Sequence, residues 1–348
     1  MQDINYIGWD IGGAHLKVAG VNPAGELIYV KQFATPLWQG MGQLEQAMPI
    51  AINALPQSIP RHAVTMTAEL VDIFPSRTDG VRALTQLCQQ FLGNDIDLYA
   101  TGLGFINVNP HAEESDEIAS ANWYASSELV ATHIDSGLFI DIGSTTTDIV
   151  PFANKKLLNL GNNDQSRMQH DELVYTGVIR TSLMALARRV PFAGHWQNIA
   201  AEHFATTADI YRILGLLDER TDLMQAADGA GKDRIASIRR LARMVGIDAG
   251  DDKDEKAWVD LARHFADLHL QELEQAVARV MSRLPQLDRI IIGAGAGRFV
   301  LRRLAEKLQF EYMEFSDLLQ CNAGLEDDCN ICAPAVALAQ LNRLRLLS

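Results

Sequence analysis

The stretch "YIGWDIGGAHLKVAG", residues 6–20, decides how the rest of the chain is read. An apolar run ends in Asp10, Gly12 and Gly13 follow, and apolar residues resume around Lys17. That order predicts strand, tight turn, strand. Adjacent glycines let a backbone bend sharply and let an anion approach successive N–H groups. Alone, the string also fits a plain hairpin with glycine at positive φ and an acid at its corner.

The pattern then restarts. "GLFIDIGSTTTDIVPF", residues 137–152, puts Asp141 in the place of Asp10 and Gly143 in the place of Gly12. This is an internal repeat of structure, not of composition. Ser144, Thr145 and Thr146 add hydroxyl donors. A third turn, "GAGAG" with Gly293, Gly295 and Gly297, follows an apolar strand and precedes a helical pattern. Three such turns point to phosphate, held by backbone N–H groups at Gly12, Gly13 and Gly143 and by the three hydroxyls. Lys17 supplies a point charge for an anion. Asp10 and Asp141 repel bare phosphate, so as catalytic positions they call for Mg2+ between carboxylate and phosphate oxygens.

The bulk properties narrow the ligand. The chain has 348 residues and a formal net charge of −14, from 44 acidic and 30 basic residues. That length suggests two domains. The charge argues against nucleic acid and anionic membrane as partners and leaves room for a phosphorylated small molecule. "MQDINYIGWD" has no secretory apolar core, and no run approaches the ~20 apolar residues of a membrane span. A cytoplasmic protein is the expectation. The 4 cysteines, Cys88, Cys321, Cys329 and Cys332, make no disulfide framework. One C-x-x-C without a second pair reads as reduced thiols near a helix start rather than a structural zinc site.

The chain divides into an N-terminal lobe over 1–135 and a C-terminal lobe over 136–348. Residues of about 170–285 read as a helical subdomain, with 248–256 a charged loop inside it. Within that subdomain "LVYTGVIRTSLMALARRV" predicts a helix whose start carries Thr176 and Arg180 on one face, as substrate-binding groups. "HFATTADIYR" offers Asp209 either as a base or as half of an ion pair. "AADGAGKDR", with Asp228 and Lys232, reads as a helix cap. "SRTDG", with Arg77 and Asp79, reads as a turn near the site, and Arg239, Arg240 and Arg243 as a solvated helical face.

The order of the three turns resembles the actin, sugar-kinase and heat-shock chaperone superfamily, and "LFIDIGSTTTDI" is similar to its hydantoinase/oxoprolinase group. Over nearly the whole chain, "WDIGGAHLK", "MTAELVDIFPSRTDGV", "ELVYTGVIRT", "HFATTADIYRILG", "ADGAGKDRIASIRRLARMVG" and "IIIGAGAG" resemble one family. These are the condensing enzymes of methanofuran and methylofuran biosynthesis, also called tetrahydromethanopterin-linked one-carbon transfer pathway proteins. The resemblance implies an α/β fold of two ribonuclease-H-like lobes, the actin-like ATPase fold, with a helical insertion in the second. It implies that Gly293, Gly295 and Gly297 approach an adenosine in relatives. It implies a transferase that joins an aminomethylfuran-methyl diphosphate to the phenol of a glutamylated tyramine or tyrosine, releasing diphosphate. A homo-oligomer is compatible with it.

One departure bears on the chemistry. Sugar-kinase-like relatives carry Thr or Ser after the paired glycines, and here Ala14 and His15 follow. The missing hydroxyl disfavours ATP or ADP as the phosphate donor. An ATP-dependent small-molecule kinase and a hydantoinase-like ATPase remain the alternatives.

Overall fold

The apolar run Tyr6–Ile11 (β1) pairs antiparallel with His15–Val21 (β2), and β2 with Leu27–Ala34 (β3). Helix α1 (Gly42–Asn53) leads to Arg61–Met66 (β4), which lies parallel to β1. Helix α2 (Arg77–Leu92) leads to Ile96–Ala100 (β5), parallel to β4, and Gly104–Asn107 (β6) closes the sheet antiparallel. Parallel neighbours need long crossovers, and α1 and α2 supply them. The order is β3-β2-β1-β4-β5-β6. The structure is a computed structural model and describes residues 4–55, 61–107, 114–250 and 254–347. Residues 1–3 of "MQDINYIGWD" and 251–253 of the charged loop lie outside these.

Pro49 does not interrupt α1, because burial of Leu44, Ala47, Met48 and Ala51 carries the helix through it. Two further helices follow β6, α3 (Ser115–Ile118) and α4 (Asn122–His133). Between them Ser120 takes φ 52, which a helix cannot contain.

The chain continues through β7 (Ser136–Ile142), β8 (Thr147–Ala153), β9 (Lys156–Leu157), α5 (Asp164–Gln169) and β10 (Leu173–Val174). There follow α6 (Leu183–Leu186), the two-stranded sheet of β11 (Arg189–Phe192) and β12 (His195–Asn198), α7 (Thr207–Ile213) and α8 (Arg234–Met244). The long α9 (Glu255–Ser282) leads to β13 (Ile290–Ala294), α10 (Arg298–Leu308), β14 (Glu311–Glu314), α11 (Glu326–Ile331) and α12 (Ala333–Leu347). The second sheet has the order β10-β8-β7-β13-β14, with β9 also on β8. This is the two-sheet α/β architecture with helical insertions that the resemblance implies. The stretch at 170–285 is less helical than its apolar spacing suggested, holding β10, β11 and β12 beside its helices.

Contacts divide the chain into one unit of residues 1–139, 150–169 and 313–348 and another of 140–149 and 170–312. The last helix therefore returns to the first sheet. α12 packs on β1, β2, β4 and α4, and its small residues Ala335, Ala337 and Ala339 are fully buried. Gly8 of β1 makes this approach close: a Cβ there would collide with Ala335 O and lie 2.8 Å from Ala339 N. Gly8→Val is expected to lower stability by about 3 kcal/mol, because the obstacle is helix backbone rather than a movable side chain. A urea melt checks it, and an unchanged midpoint would mean that α12 gives way.

Candidate active site

In the first unit, β1 and β2 meet in register so that Asp10 faces Lys17, with Lys17 Nζ 3.8 Å from Asp10 Oδ2. Asp10 is buried and Lys17 half-buried. Gly12 N–H donates to His15 O at 2.9 Å and closes the turn. Neither glycine has positive φ, so the plain hairpin with left-handed glycines is excluded. What they supply is room. A Cβ at Gly12 would lie 3.0 Å from His15 O, and one at Gly13 3.1 Å from Val71 Cγ2. Ala14 and His15 are buried, and Thr35 N–H donates to Ala14 O at 2.8 Å.

In the second unit the twin turn is built the same way. Gly143 N–H donates to Thr146 O at 2.9 Å, matching the Gly12 bond residue for residue. Asp141, Gly143, Ser144, Thr145 and Thr146 are all half-buried and so reach the surface of their unit. Ser144 Oγ and Thr145 Oγ1 stand 3.4 Å apart. At the place of Lys17 this turn has Asp148, so the lysine belongs to the first turn alone.

The "VYTGVIRT" segment corrects the expected helix. Its central N–H groups go to the Ser144 turn rather than up a helix: Val178 N–H donates to Gly143 O at 3.1 Å, and Ile179 and Arg180 N–H donate to Ser144 O at 3.2 and 2.9 Å. A Cβ at Gly177 would lie 2.6 Å from Thr145 N. Thr176 is buried, its carbonyl accepting from Thr147 Oγ1 at 2.6 Å, and Arg180 is exposed. The two do not share a helical face. Their segment is the strap that shapes the turn.

The "GAGAG" glycines are likewise filled. Gly293 lies under the Tyr312 ring, and Gly297 under Ile142 and Val178. Gly295, at φ 85, sits where any Cβ would strike Asp141 Oδ1 and Ile142 O, and Gly297 N–H donates to Ile142 O at 2.9 Å. These glycines bring the start of α10 against the Asp141 turn.

Asp209 stands elsewhere in the second unit. It is the third residue of α7 in a capping box with Thr206. Its Oδ2 accepts from Thr206 N–H at 3.0 Å, and its Oδ1 from Ser237 Oγ at 2.8 Å and Arg240 Nε at 2.9 Å. Both oxygens carry hydrogen bonds, as the ion-pair alternative for this residue expects. Arg240 is fully buried rather than on a solvated face, and also meets Asp228 Oδ1 at 3.0 Å. Arg212 binds Glu219 and Asp222, and Lys232 Nζ lies 3.1 Å from Asp222 Oδ1. The helix cap read into "AADGAGKDR" is Asp233, accepting from Ala236 N–H at 2.8 Å. In the first unit, "SRTDG" is the capped start of α2: Ser76 accepts from Asp79 N–H, and Arg77 pairs with Asp164 at 2.9 Å.

Mg2+ takes few protein ligands and keeps waters and phosphate oxygens. Asp10 in the first unit and Asp141 in the second are each a carboxylate beside a glycine turn of the kind such an ion takes. Among the described residues no group of three His, Cys, Asp or Glu could hold a metal unaided. Sequence reasoning passed over one acid, Glu69 in "MTAEL", which is buried beside the first turn. A lone Glu between Ala and Leu carries no signal of its own.

The pattern of the hydantoinase/oxoprolinase family matches residues 61–341, from β4 onward. The chain is 27% identical over 344 residues to the (4-{4-[2-(gamma-L-glutamylamino)ethyl]phenoxymethyl}furan-2-yl)methanamine synthase of Methanocaldococcus jannaschii, across 99% of each protein. It is 27% identical over 169 residues to the synthase of the same name from Methanococcus vannielii, across 48% of this chain and 75% of that one. Among solved structures, nucleotide-free acetone carboxylase shares the fold with a TM-score of 0.55 at 11% identity, over 97% of this chain and 70% of that one.

Proposed function

The chain is an enzyme of the hydantoinase/oxoprolinase family, and from that premise we propose that it is a transferase forming an aryl–furfuryl ether. Its two sheet-bearing units with helical insertions are the α/β fold of the actin, heat-shock chaperone and sugar-kinase superfamily. The substrates are an aminomethylfuran-methyl diphosphate and the phenol of a glutamylated tyramine or tyrosine. The observation that carries the reading is the end-to-end match to a synthase whose named product contains a phenoxymethyl–furan linkage.

The chemistry asks little covalent work of the protein. The furan oxygen spreads the charge that develops on the furfuryl carbon as diphosphate departs. The protein then stabilises the leaving group and positions the phenol oxygen. Lys17 offers a cation beside the Gly12–Gly13 turn. Ser144, Thr145 and Thr146 offer hydroxyls at the twin turn, and Asp10 and Asp141 would hold Mg2+, whose charge neutralises diphosphate oxygens. Ala14, buried where kinases of this fold carry a hydroxyl, supports a leaving diphosphate over the γ-phosphate of ATP.

Purified protein with Mg2+ and both substrates is expected to release diphosphate and yield an ether of the summed substrate mass less diphosphate. Product that forms only when ATP is added and consumed would favour the kinase or ATPase reading instead.

A further inference from the structure

Glu69 lies in a short 3-10 turn, Ala68–Leu70, just past the carboxyl end of β4. Carboxyl ends of parallel strands are where α/β sheets bind ligands. The residues two before and two after it touch the glycine turn of β1. Thr67 N–H donates to Ile11 O at 2.9 Å, and Val71 Cγ2 lies 3.1 Å from where a Cβ of Gly13 would be. Helix α2 is seated on its backbone: a Cβ at Gly80 would lie 2.8 Å from Glu69 Cα and O. The residue cannot swing away.

Its side chain is only partly satisfied. Glu69 is 2% exposed. Oε1 accepts from Ser120 Oγ at 2.9 Å, while Oε2 is buried with no hydrogen-bond partner among the described residues. A buried carboxylate oxygen without a donor is costly and calls for a proton or a ligand group. Ser120 delivers its hydroxyl from left-handed backbone, φ 52, a conformation a serine holds at some expense. Burial pushes the Glu69 carboxyl up to about 7, against its own backbone N–H and the Ser120 hydroxyl, whose hydrogen bonds lower it; of the charged groups around it, Asp164 on α5 raises it and Arg77 on α2 lowers it.

We propose that Glu69, positioned by Ser120, is the general base that takes the proton of the acceptor phenol. The phenol O–H bond breaks and its proton passes to Glu69 Oε2. The phenol oxygen forms the new bond to the furfuryl carbon, and the bond from that carbon to diphosphate breaks with its electron pair on the leaving group. A base that titrates near neutrality suits this transfer. This inference rests on the ether-forming reading and adds the residue that activates the nucleophile.

The test uses the full chain, Mg2+ and the two substrates. In the wild type, kcat/KM is expected to rise with pH through about 7, as Glu69 ionises. Glu69→Gln is expected to lower kcat about 10²- to 10⁴-fold, the range of general-base catalysis, and to lose that limb. An acceptor with ring fluorines, whose phenol ionises more readily, is expected to recover most of the loss. Ser120→Gly tolerates the backbone angle and removes the donor, so the limb is expected to move to higher pH. The stability sign is separate. A carboxyl raised in the folded state destabilises as pH climbs from its unfolded value to about 7, so Glu69→Gln is expected to melt higher than wild type at pH 8. An unchanged rate and pH limb in Glu69→Gln, with wild type active, overturns this inference alone. No ether from wild type overturns the functional reading and this inference with it.

Discussion

Asp209→Ala is expected to cost about 3–5 kcal/mol of folding stability, the toll of stranding one partner of a buried ion pair. Three donors converge on this carboxylate: Thr206 N–H, Ser237 Oγ and the Arg240 guanidinium at 2.7 Å. They tie α7 to α8. Removing the acid leaves Arg240 fully buried with Asp228 and the Gly231 carbonyl beside its Nη1 and Ser237 Oγ 3.3 Å from its Nη2. The double replacement Asp209→Ala with Arg240→Met is expected to recover a good part of the loss, since the uncompensated charge is gone. Urea melts of the three proteins decide it. A variant that melts like wild type yet has lost turnover would return Asp209 to the catalytic role that its sequence context first suggested.

Lys17→Met is expected to reduce kcat about 10²- to 10³-fold, the scale on which single contacts to developing transition-state charge act. Methionine keeps an apolar stem of similar length on β2, and a urea melt run alongside accounts for the loss of the 3.8 Å partner of buried Asp10. The lysine faces Asp10 across the hairpin, and Asp148 occupies the corresponding place in the second turn. A cation for departing diphosphate at that place on the repeat thus comes from the first turn only. The rate is read under saturating Mg2+, so that a weakened metal site does not imitate the effect. An unaltered kcat would reduce Lys17 to a counter-ion of Asp10.

The repeat was legible because strand–glycine–strand is a local pattern, and the matched Gly12 and Gly143 hydrogen bonds show that the twin turns are built alike. What failed was whatever depended on distant partners. Arg240 reads as solvated because its acid lies 31 residues away, beyond any helical spacing. The 173–186 segment has helical apolar spacing, yet only its end, α6, is helical, and the N–H groups of Val178, Ile179 and Arg180 are drawn to the Ser144 turn. The return of α12 to β1 turns on Gly8 having no side chain, a fact with no periodicity to reveal it. Ser120 is more instructive still. Nothing in "ASANW" announces a left-handed serine, and only the fold brings its hydroxyl to Glu69.

In the proposed ether-forming reaction the bond broken lies between the furfuryl carbon and oxygen, not between oxygen and phosphorus. Substrate carrying ¹⁸O in the bridging position separates the two. Carbon–oxygen cleavage sends all of the label out with diphosphate, and the ether oxygen then comes unlabelled from the phenol. That is the predicted result, read by mass spectrometry of both products. Label retained on the furan, as an alcohol or within the ether, would mean phosphoryl chemistry and would contradict the proposed reaction.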